Sequence, residues 1–161
     1  MKPEWDSPRI WAYRALGAAV AIGIMETIAG LAGQPLARVP FVTSIILITA
    51  LPDSEAAKPR AIVGGHLVSC GCGLFCFWMF GPGETSSAVA AGAATFLMMA
   101  IGAIHPPAGI DAFLVPAHAL PASWLINPVF LGSLLLAVFG KLWRLGENFI
   151  PAHDKRYGWR K

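Results

Sequence analysis

The chain has 161 residues, of which 56% are hydrophobic and only 13% are charged, and its mean hydropathy is +0.61. Soluble globular domains carry about 25% charged residues, so this composition excludes an ordinary soluble domain and indicates one integral membrane domain, residues 1–161. The pI near 9.0 reflects basic residues concentrated at the two chain ends, so we expect no nucleic-acid partner.

The first apolar stretch, residues 15–33, follows a charged N-terminus at 1–10 and is too long for the hydrophobic region of a cleaved signal peptide. We expect a retained span. Glu26 would share a helix face with Ala19, Gly23 and Gly30, which would let another helix approach. A carboxylate at this depth costs about 2.5–3.5 kcal/mol. Glu26 should therefore face protein or a water-filled cavity, as a functional group or as a protonated structural one.

Three more long stretches, at 61–80, 85–104 and 124–143, could each cross the bilayer, and two shorter ones are bracketed by prolines at 39–52 and 106–121. The fold class is therefore an all-α polytopic membrane helix bundle with four long transmembrane helices and two short Pro-bracketed helices. A GPGE turn at 81–84 separates a first half, 11–80, from a second half, 85–145. This symmetry of hydropathy is the pattern of a two-half pseudo-repeat, although no residue-by-residue repeat is detectable.

The number of crossings depends on the short segments. If both cross, there are six crossings and the halves are inverted. If both re-enter, there are four and the halves are parallel. Lys58 and Arg60 favour six, because their loop then shares the cytoplasmic side with both basic termini, including the tail at 146–161. Against six, about 13 residues reach only about 20 Å. We favour six.

The first short segment begins at Pro40 and carries Thr43 and Ser44. If Pro40 lies in the first helical turn, free backbone N–H groups and the two hydroxyls would form a site that favours anions. The alternative is that both hydroxyls merely bond to backbone carbonyls.

The second short segment begins with the sequence HPPAGID. Pro106 and Pro107 cannot continue the preceding helix but suit the first turn of a new one, which places His105 at or just before its N-terminus. Gly109 would permit a close backbone approach. Asp111 would either neutralise the helix dipole or bind a cation or proton, or pair with a histidine.

His66 follows Gly64 and Gly65 in a helix face of small residues. It is expected either to bond to a neighbouring helix or to line a pathway as a proton relay. The chain has no recognisable catalytic or metal-binding motif, and its candidate groups, Glu26 included, are scattered in sequence. We therefore predict no catalytic residues, no metal site and no cofactor.

The stretch PFVTSIILITALPDSEAAKPRAIVGGHLVS, followed by HPPAGIDAFLV and INPVFLGSLLL, resembles the HPP family of integral membrane proteins over residues 10–145. The most specific elements are PDS, with Pro52 and Asp53, then PR with Arg60, GGH at 64–66 and HPPAG at 105–109. The resemblance implies four membrane-spanning helices and a transport role, and a plastid branch of the family is associated with nitrite. Asp111 falls where this sequence departs from the expected pattern, and its negative charge would hinder an anion.

The leading hypothesis is a channel or secondary transporter for a small inorganic or organic anion such as nitrite, with its site near the HPP motif. A second is a proton- or cation-coupled transporter that uses Glu26 and Asp111. A third is a membrane scaffold without transport. We expect the protein to lie in the lipid bilayer of a bacterial inner membrane, with both termini cytoplasmic, as a symmetric homo-oligomer, most simply a dimer.

Overall fold

The computed structural model of the protein describes residues 8–34, 37 and 39–150, and these form a bundle of α-helices joined by short turns. The expected all-α membrane bundle is confirmed. Residues 1–7 and 151–161 lie outside the described part, and with them most of the predicted cytoplasmic ends. The helices are α1 Pro8–Leu31, α2 Val39–Ala50, α3 Pro59–Phe80, α4 Glu84–Ala100, α5 Gly109–His118 and α6 Leu131–Glu147.

Three segments among the described residues are long and apolar enough to span a membrane, namely Pro8–Leu31, Pro59–Phe80 and Ala122–Glu147. The fourth predicted span is shorter than expected, since α4 has 17 residues and ends at Ala100 rather than near residue 104. The last predicted span is not one regular helix. Asn127, with φ −130° and ψ 112°, leaves helical geometry before Pro128, because the proline ring disfavours the helical conformation of the preceding residue.

Both ends of the described chain lie at one end of the bundle, which we call end A. The hydroxyl of Tyr13 donates to the backbone carbonyl of Trp143 at 2.9 Å, and Arg14 pairs with Glu147 at 2.7 Å. The start of α1 therefore meets the end of α6. We call the opposite end of the bundle end B. There Ala37, from the connection after α1, packs in one buried cluster with Trp124, from the connection before α6.

The two short helices run from one end of the bundle to the other. The ring of Phe41 lies against Gly132 and Ile48 lies against Gly140, so α2 runs parallel to α6 and ends at end A. Arg144 forms an ion pair with Asp53 in the following loop. The chain therefore passes from end B to end A along α2 and does not turn back within it.

The second short helix runs in the opposite direction to the first. Gly65 contacts His105, and Gly73 contacts Val115, so α5 runs parallel to α3, from end A to end B. At end B the backbone N–H of Gly83 donates to the carbonyl of Pro116 at 3.2 Å. Successive helices thus alternate in direction through six passages, which supports the interpretation with six crossings.

Helix packing relates the two halves as an inverted repeat. Helix α1 packs on α2 as α4 packs on α5, and α6 packs on α2 and α1 as α3 packs on α5 and α4. The contact between α2 and α5 and the contact between α3 and α6 each join a helix of one half to its counterpart in the other half. The same sequence interval separates the paired positions Pro40 and Pro107, Ser44 and Asp111, Ile48 and Val115, Gly65 and Gly132, and Gly73 and Gly140.

Glycines on the long helices allow the short helices to pack closely. A Cβ atom at Gly73 would lie 2.9 Å from Cβ of Val115 and 3.1 Å from Cα of Ala112, whereas a Cβ at Gly71 would meet no described atom within 4 Å. The absence of a side chain at Gly73 is therefore required by the packing of α3 against α5, and Gly71 serves as a control on the same helix.

We predict that Gly73→Ala lowers the free energy of unfolding by about 1–3 kcal/mol, because the added methyl group overpacks the α3–α5 contact. Gly71→Ala should leave stability unchanged or raise it by about 1 kcal/mol, because alanine has the higher helix propensity. Thermal unfolding of both variants in the same detergent measures this. Equal midpoints for the two variants would contradict the predicted packing.

Candidate functional site

Four polar side chains from separate parts of the chain meet in the centre of the bundle. Ser44 comes from α2, His66 from α3, and Asp111 from the first turn of α5, while His105 immediately precedes the turn Pro106–Ala108. Each of the four is 0% exposed. The candidate groups that are scattered in sequence are thus brought together by the fold, with the exception of Glu26 and Thr43.

These side chains form one continuous series of hydrogen bonds. Oδ2 of Asp111 lies 2.6 Å from Nδ1 of His66, and Nε2 of His66 lies 3.1 Å from Oγ of Ser44. The same Oγ lies 2.8 Å from Nε2 of His105, whose Nδ1 lies 2.7 Å from the backbone carbonyl oxygen of Ala56. We call the four side chains and this carbonyl the histidine network.

The carbonyl of Ala56 sets the direction of the series. A carbonyl oxygen only accepts, so Nδ1 of His105 must carry a hydrogen, and Nε2 of neutral His105 is then an acceptor. Oγ of Ser44 lies 2.8 Å from that nitrogen and 3.1 Å from the carbonyl oxygen of Pro40, so its hydrogen is donated to the nearer acceptor, Nε2 of His105. Because a hydroxyl has one hydrogen, Ser44 can only accept from His66, whose Nε2 must be the donor.

A complete network therefore contains one proton shared by Asp111 and His66. The proton lies either on Nδ1 of His66, giving an imidazolium–carboxylate pair, or on Oδ2 of Asp111, giving a neutral pair; both arrangements leave a hydrogen on Nε2 of His66. If this proton departs, both Nε2 atoms are acceptors facing one hydroxyl hydrogen. One of the two bonds of Ser44 is then lost, which is costly for groups buried away from water.

Prolines and small residues position the network. Pro40, in the first turn of α2 as expected, leaves its carbonyl 3.1 Å from Oγ of Ser44. His105 is extended, with φ −132° and ψ 89°, as the conformational restriction before Pro106 requires. A Cβ at Gly65 would lie 2.7 Å from Cβ of His105, so only glycine admits this imidazole. The hydroxyl of Ser69 accepts from the N–H of Ala112 at 3.2 Å and fastens α5 to α3.

Several predicted site residues lie outside the network. Thr43 is exposed on α2, and Glu26 is half-buried on α1, a helix that contributes no side chain to the network. The α1 face with Gly23 and Gly30 meets no described atom within 4 Å, so no described helix approaches it as expected. A Cβ at Gly109 would also meet no described atom within 4 Å, so no close contact in the described chain depends on this glycine. It is simply the first residue of α5.

The remaining motif residues lie at end A beside the network. The guanidinium of Arg60 donates to the carbonyl of Ile101, and a Cβ at Gly64 would lie 3.2 Å from Cβ of Ala103. Pro52 precedes Asp53, whose ion pair with Arg144 joins this loop to α6. The start of α3 is thereby fastened to the loop before α5, and the loop after α2 is fastened to α6.

The order Asp111, His66, Ser44 matches that of an acyl-transfer triad, in which histidine is bonded to a carboxylate and to a serine hydroxyl. Here the hydroxyl is completely buried and is also bonded to a second imidazole. A carbonyl substrate therefore has no access to Ser44. The described residues also contain no group of three or more His, Cys, Asp or Glu that could hold a metal ion.

An apolar groove of about 310 Å³ lies between α1, α2 and α6. Its inner wall includes Phe41 and Ile45, which flank Ser44 on α2. The ring of Phe41 lies 5.1 Å from the ring of His66, centroid to centroid. The groove thus extends to the side chain of Phe41, and this one aromatic ring separates it from the histidine network.

Sequence reasoning missed Ala56, Phe41 and Ser69. The role of Ala56 depends on a backbone carbonyl, which leaves no sequence signal. Phe41 and Ser69 are of residue types that are frequent in membrane helices, so only tertiary packing identifies them. A weak signal for Ser69 is its i, i+3 spacing from His66, which places both on one helix face.

We predict that Ser44→Ala lowers the free energy of unfolding by about 1–3 kcal/mol, because Nε2 of both histidines loses its buried partner. The adjacent Thr43→Ala should change stability by at most about 0.5 kcal/mol, because Thr43 is exposed. Thermal unfolding of both variants tests this, and equal destabilisation by the two would contradict the bridging role of Ser44.

One family comparison covers almost the whole chain. The family model described as HPP, transmembrane region, matches residues 3–149. No curated protein and no solved structure matches the chain. The match includes every residue of the histidine network, and the HPP motif itself supplies His105. The chain belongs to the HPP transmembrane family, whose members are associated with membrane transport.

Proposed function

We propose that the protein is a secondary transporter that moves a small anion together with a proton, and that the histidine network holds the proton. The observation that carries this proposal is the hydrogen-bonded series from Asp111 to Ala56, whose four side chains are fully buried and which is complete only when one exchangeable proton is present. Ionisable groups within membrane segments are costly and commonly mark ion pathways and proton relays.

The position of the network supports transport. It lies where the two short helices, α2 and α5, meet the centre of α3. Short, proline-interrupted segments at matching positions of two halves are typical of the substrate site in secondary transporters. Ser44 and Asp111 occupy corresponding positions of the two halves and bind opposite nitrogens of His66.

A small anion is the substrate class that this chemistry favours. The charge of Asp111 is compensated within the pair with His66, so it does not repel an anion as the isolated residue would. A proton taken from the network would convert the anion of a weak acid into its uncharged form, which crosses apolar surroundings at far lower cost than an ion. Nitrite, suggested by the family resemblance, is the first substrate to test.

The runner-up, a cation or proton-coupled metabolite transporter that uses Glu26 with Asp111, has less support. Glu26 is on α1, whereas Asp111 is paired with His66 at 2.6 Å in a network built from α2, α3, α5 and the loops beside them. The scaffold hypothesis remains distinct, because it predicts that network variants change stability without any flux.

The distribution of charge supports an orientation with end A in the cytoplasm. Among the described residues, the loop with Lys58 and Arg60 and the end of α6 with Lys141 and Arg144 lie at end A. The positive-inside tendency would place this end in the cytoplasm of a bacterial inner membrane. The exposed α1 face with Gly23 and Gly30 would suit a second copy, as a homo-oligomer, most simply a dimer, requires.

We predict that proteoliposomes containing the protein accumulate nitrite when a pH gradient is imposed, and that Asp111→Asn lowers this accumulation at least about tenfold, since the variant cannot share a proton with His66. Glu84→Gln, an exposed residue at end B, is the matched control and should retain wild-type accumulation. Internal nitrite and internal pH are followed together.

Three results would contradict the proposal. No flux above empty vesicles for nitrite, nitrate or formate would support the scaffold. Unchanged nitrite flux in Asp111→Asn without proton movement would indicate a proton-independent channel. Proton movement with a cation and no anion would support the runner-up.

A further inference from the structure

The two halves of the bundle are related by sequence interval and packing, yet they differ in one helix contact. Helix α4 packs closely along α3, whereas its counterpart α1 separates from α6 at one end. Helix α4 packs along α3, and Ala90, Ala94 and Met98, one turn apart, are at most 3% exposed. At end A, Arg60 also binds the carbonyl of Ile101, immediately after α4. Helix α4 packs against α3 up to that end, where Sδ of Met98 would lie 3.4 Å from a Cβ at Gly65.

The corresponding helix of the first half, α1, contacts α6 in a different way. At end A the contact is tight: a Cβ at Gly17 would lie 2.4 Å from the indole nitrogen of Trp143, and Arg14 pairs with Glu147. Towards end B the groove lies between the two helices, with Ile28 and Ala32 on one wall and Leu135 on the other. Helices α1 and α6 therefore diverge towards end B.

In an inverted repeat, corresponding contacts lie at opposite ends of the bundle. The C-terminal end of α4 is closed at end A, whereas the C-terminal end of α1 is open at end B. The halves thus have the same packing pattern in two different states. A repeat of this kind can exchange those states, because each half already adopts the conformation that the other would take.

We propose that the groove is the substrate pathway from end B to the histidine network, and that this structure is one of two alternating conformations of the transporter. In the other conformation α1 closes on α6, and α4 separates from α3 to open the network to end A. This inference rests on the proposed transport function and adds to it the route and the moving helices.

The occupant of the groove is the transported weak acid in its uncharged form. The wall is apolar along its length, and its polar side chains, Gln34 and Asn127, come from the connections at end B. An anion would lose its hydration there at a far greater cost than a neutral acid. Phe41 separates the inner end of the groove from His66, the group that shares the proton with Asp111.

The HPP motif closes the opposite end. His105 is bonded to Ser44 on one side and to the carbonyl of Ala56 on the other, so it joins the loop before α5 to the loop after α2. Opening end A requires these bonds to separate. Loss of the shared proton leaves Ser44 with only one of its two imidazole bonds, which couples the proton to the strength of this closure.

Blocking the groove tests the pathway directly. Ala32→Trp places an indole in the mouth of the groove, and nitrite flux into proteoliposomes should fall at least about tenfold. Val89→Trp, exposed on α4 and outside the groove, is the control and should keep wild-type flux. Equal thermal unfolding of the two variants confirms that both are folded.

The outcomes separate this inference from the proposed function. Wild-type flux in Ala32→Trp overturns the pathway. The groove would then hold another occupant, either a retained phospholipid or a second copy that cross-links at position 32. Absence of flux in the unmodified protein overturns the proposed function instead. Lost flux only in Ala32→Trp supports both.

Spin labels test the alternation without measuring transport. One pair at Ile28 and Leu135 spans the groove, and a second at Leu97 on α4 and Val68 on α3 reports the distance between those two helices, both in a background without the three native cysteines. In liposomes with nitrite at low and high pH, we expect the first distance to shorten as the second lengthens. One fixed distance for each pair, or changes in the same direction, would overturn the alternation.

Discussion

The hydrogen bond from His105 to the backbone carbonyl of Ala56 determines the arrangement of the whole network. A carbonyl cannot donate, so this bond fixes which nitrogen of His105 carries hydrogen, then the direction of the Ser44 hydroxyl, and finally the donor on His66. The result is that Ser44 bonds to both imidazoles only with one proton between His66 and Asp111, whose Oδ1 is buried with no hydrogen-bond partner in the described chain. The chemistry of the site follows from one backbone acceptor in a loop.

The surrounding architecture maintains this bond. Prolines begin both short helices, which lets α2 and α5 deliver Ser44 and Asp111 to opposite nitrogens of His66. Glycines on α3 and α6 admit those helices at close range. Because the hydrogen bonds of the network lie in an apolar bundle, a displacement of either short helix would leave further polar atoms without partners, which links the position of the helices to the protonation of the network.

Much of the fold could be predicted from the sequence, because hydropathy and proline positions depend on local residues alone. The order long, short, long in each half and the location of Pro40 in the first turn of α2 are examples. The break at Asn127 was not predicted, because the hydropathy of residues 124–143 indicates one span and does not report the conformational restriction before Pro128.

The candidate site was predicted in its members but not in its connections. His66, His105, Asp111 and Ser44 stand out as polar residues in apolar helices, and pairing of Asp111 with His66 was one of the alternatives. Glu26 has the same signal, yet α1 contributes no side chain to the network. Which polar groups meet depends on long-range packing, and the carbonyl that orients them has no side-chain identity, so neither could be derived from the sequence.

The central claim is that the network holds one proton in a fixed direction, and the nitrogen NMR signals of the two imidazoles test it most directly. In lipid bilayers, with histidine labelled by ¹⁵N, the account predicts that His105 carries hydrogen on Nδ1 and not on Nε2. It also predicts that Nε2 of His66 is protonated, while its Nδ1 shares a proton with Asp111. A His105 with hydrogen on Nε2 and a bare Nδ1 would contradict the account.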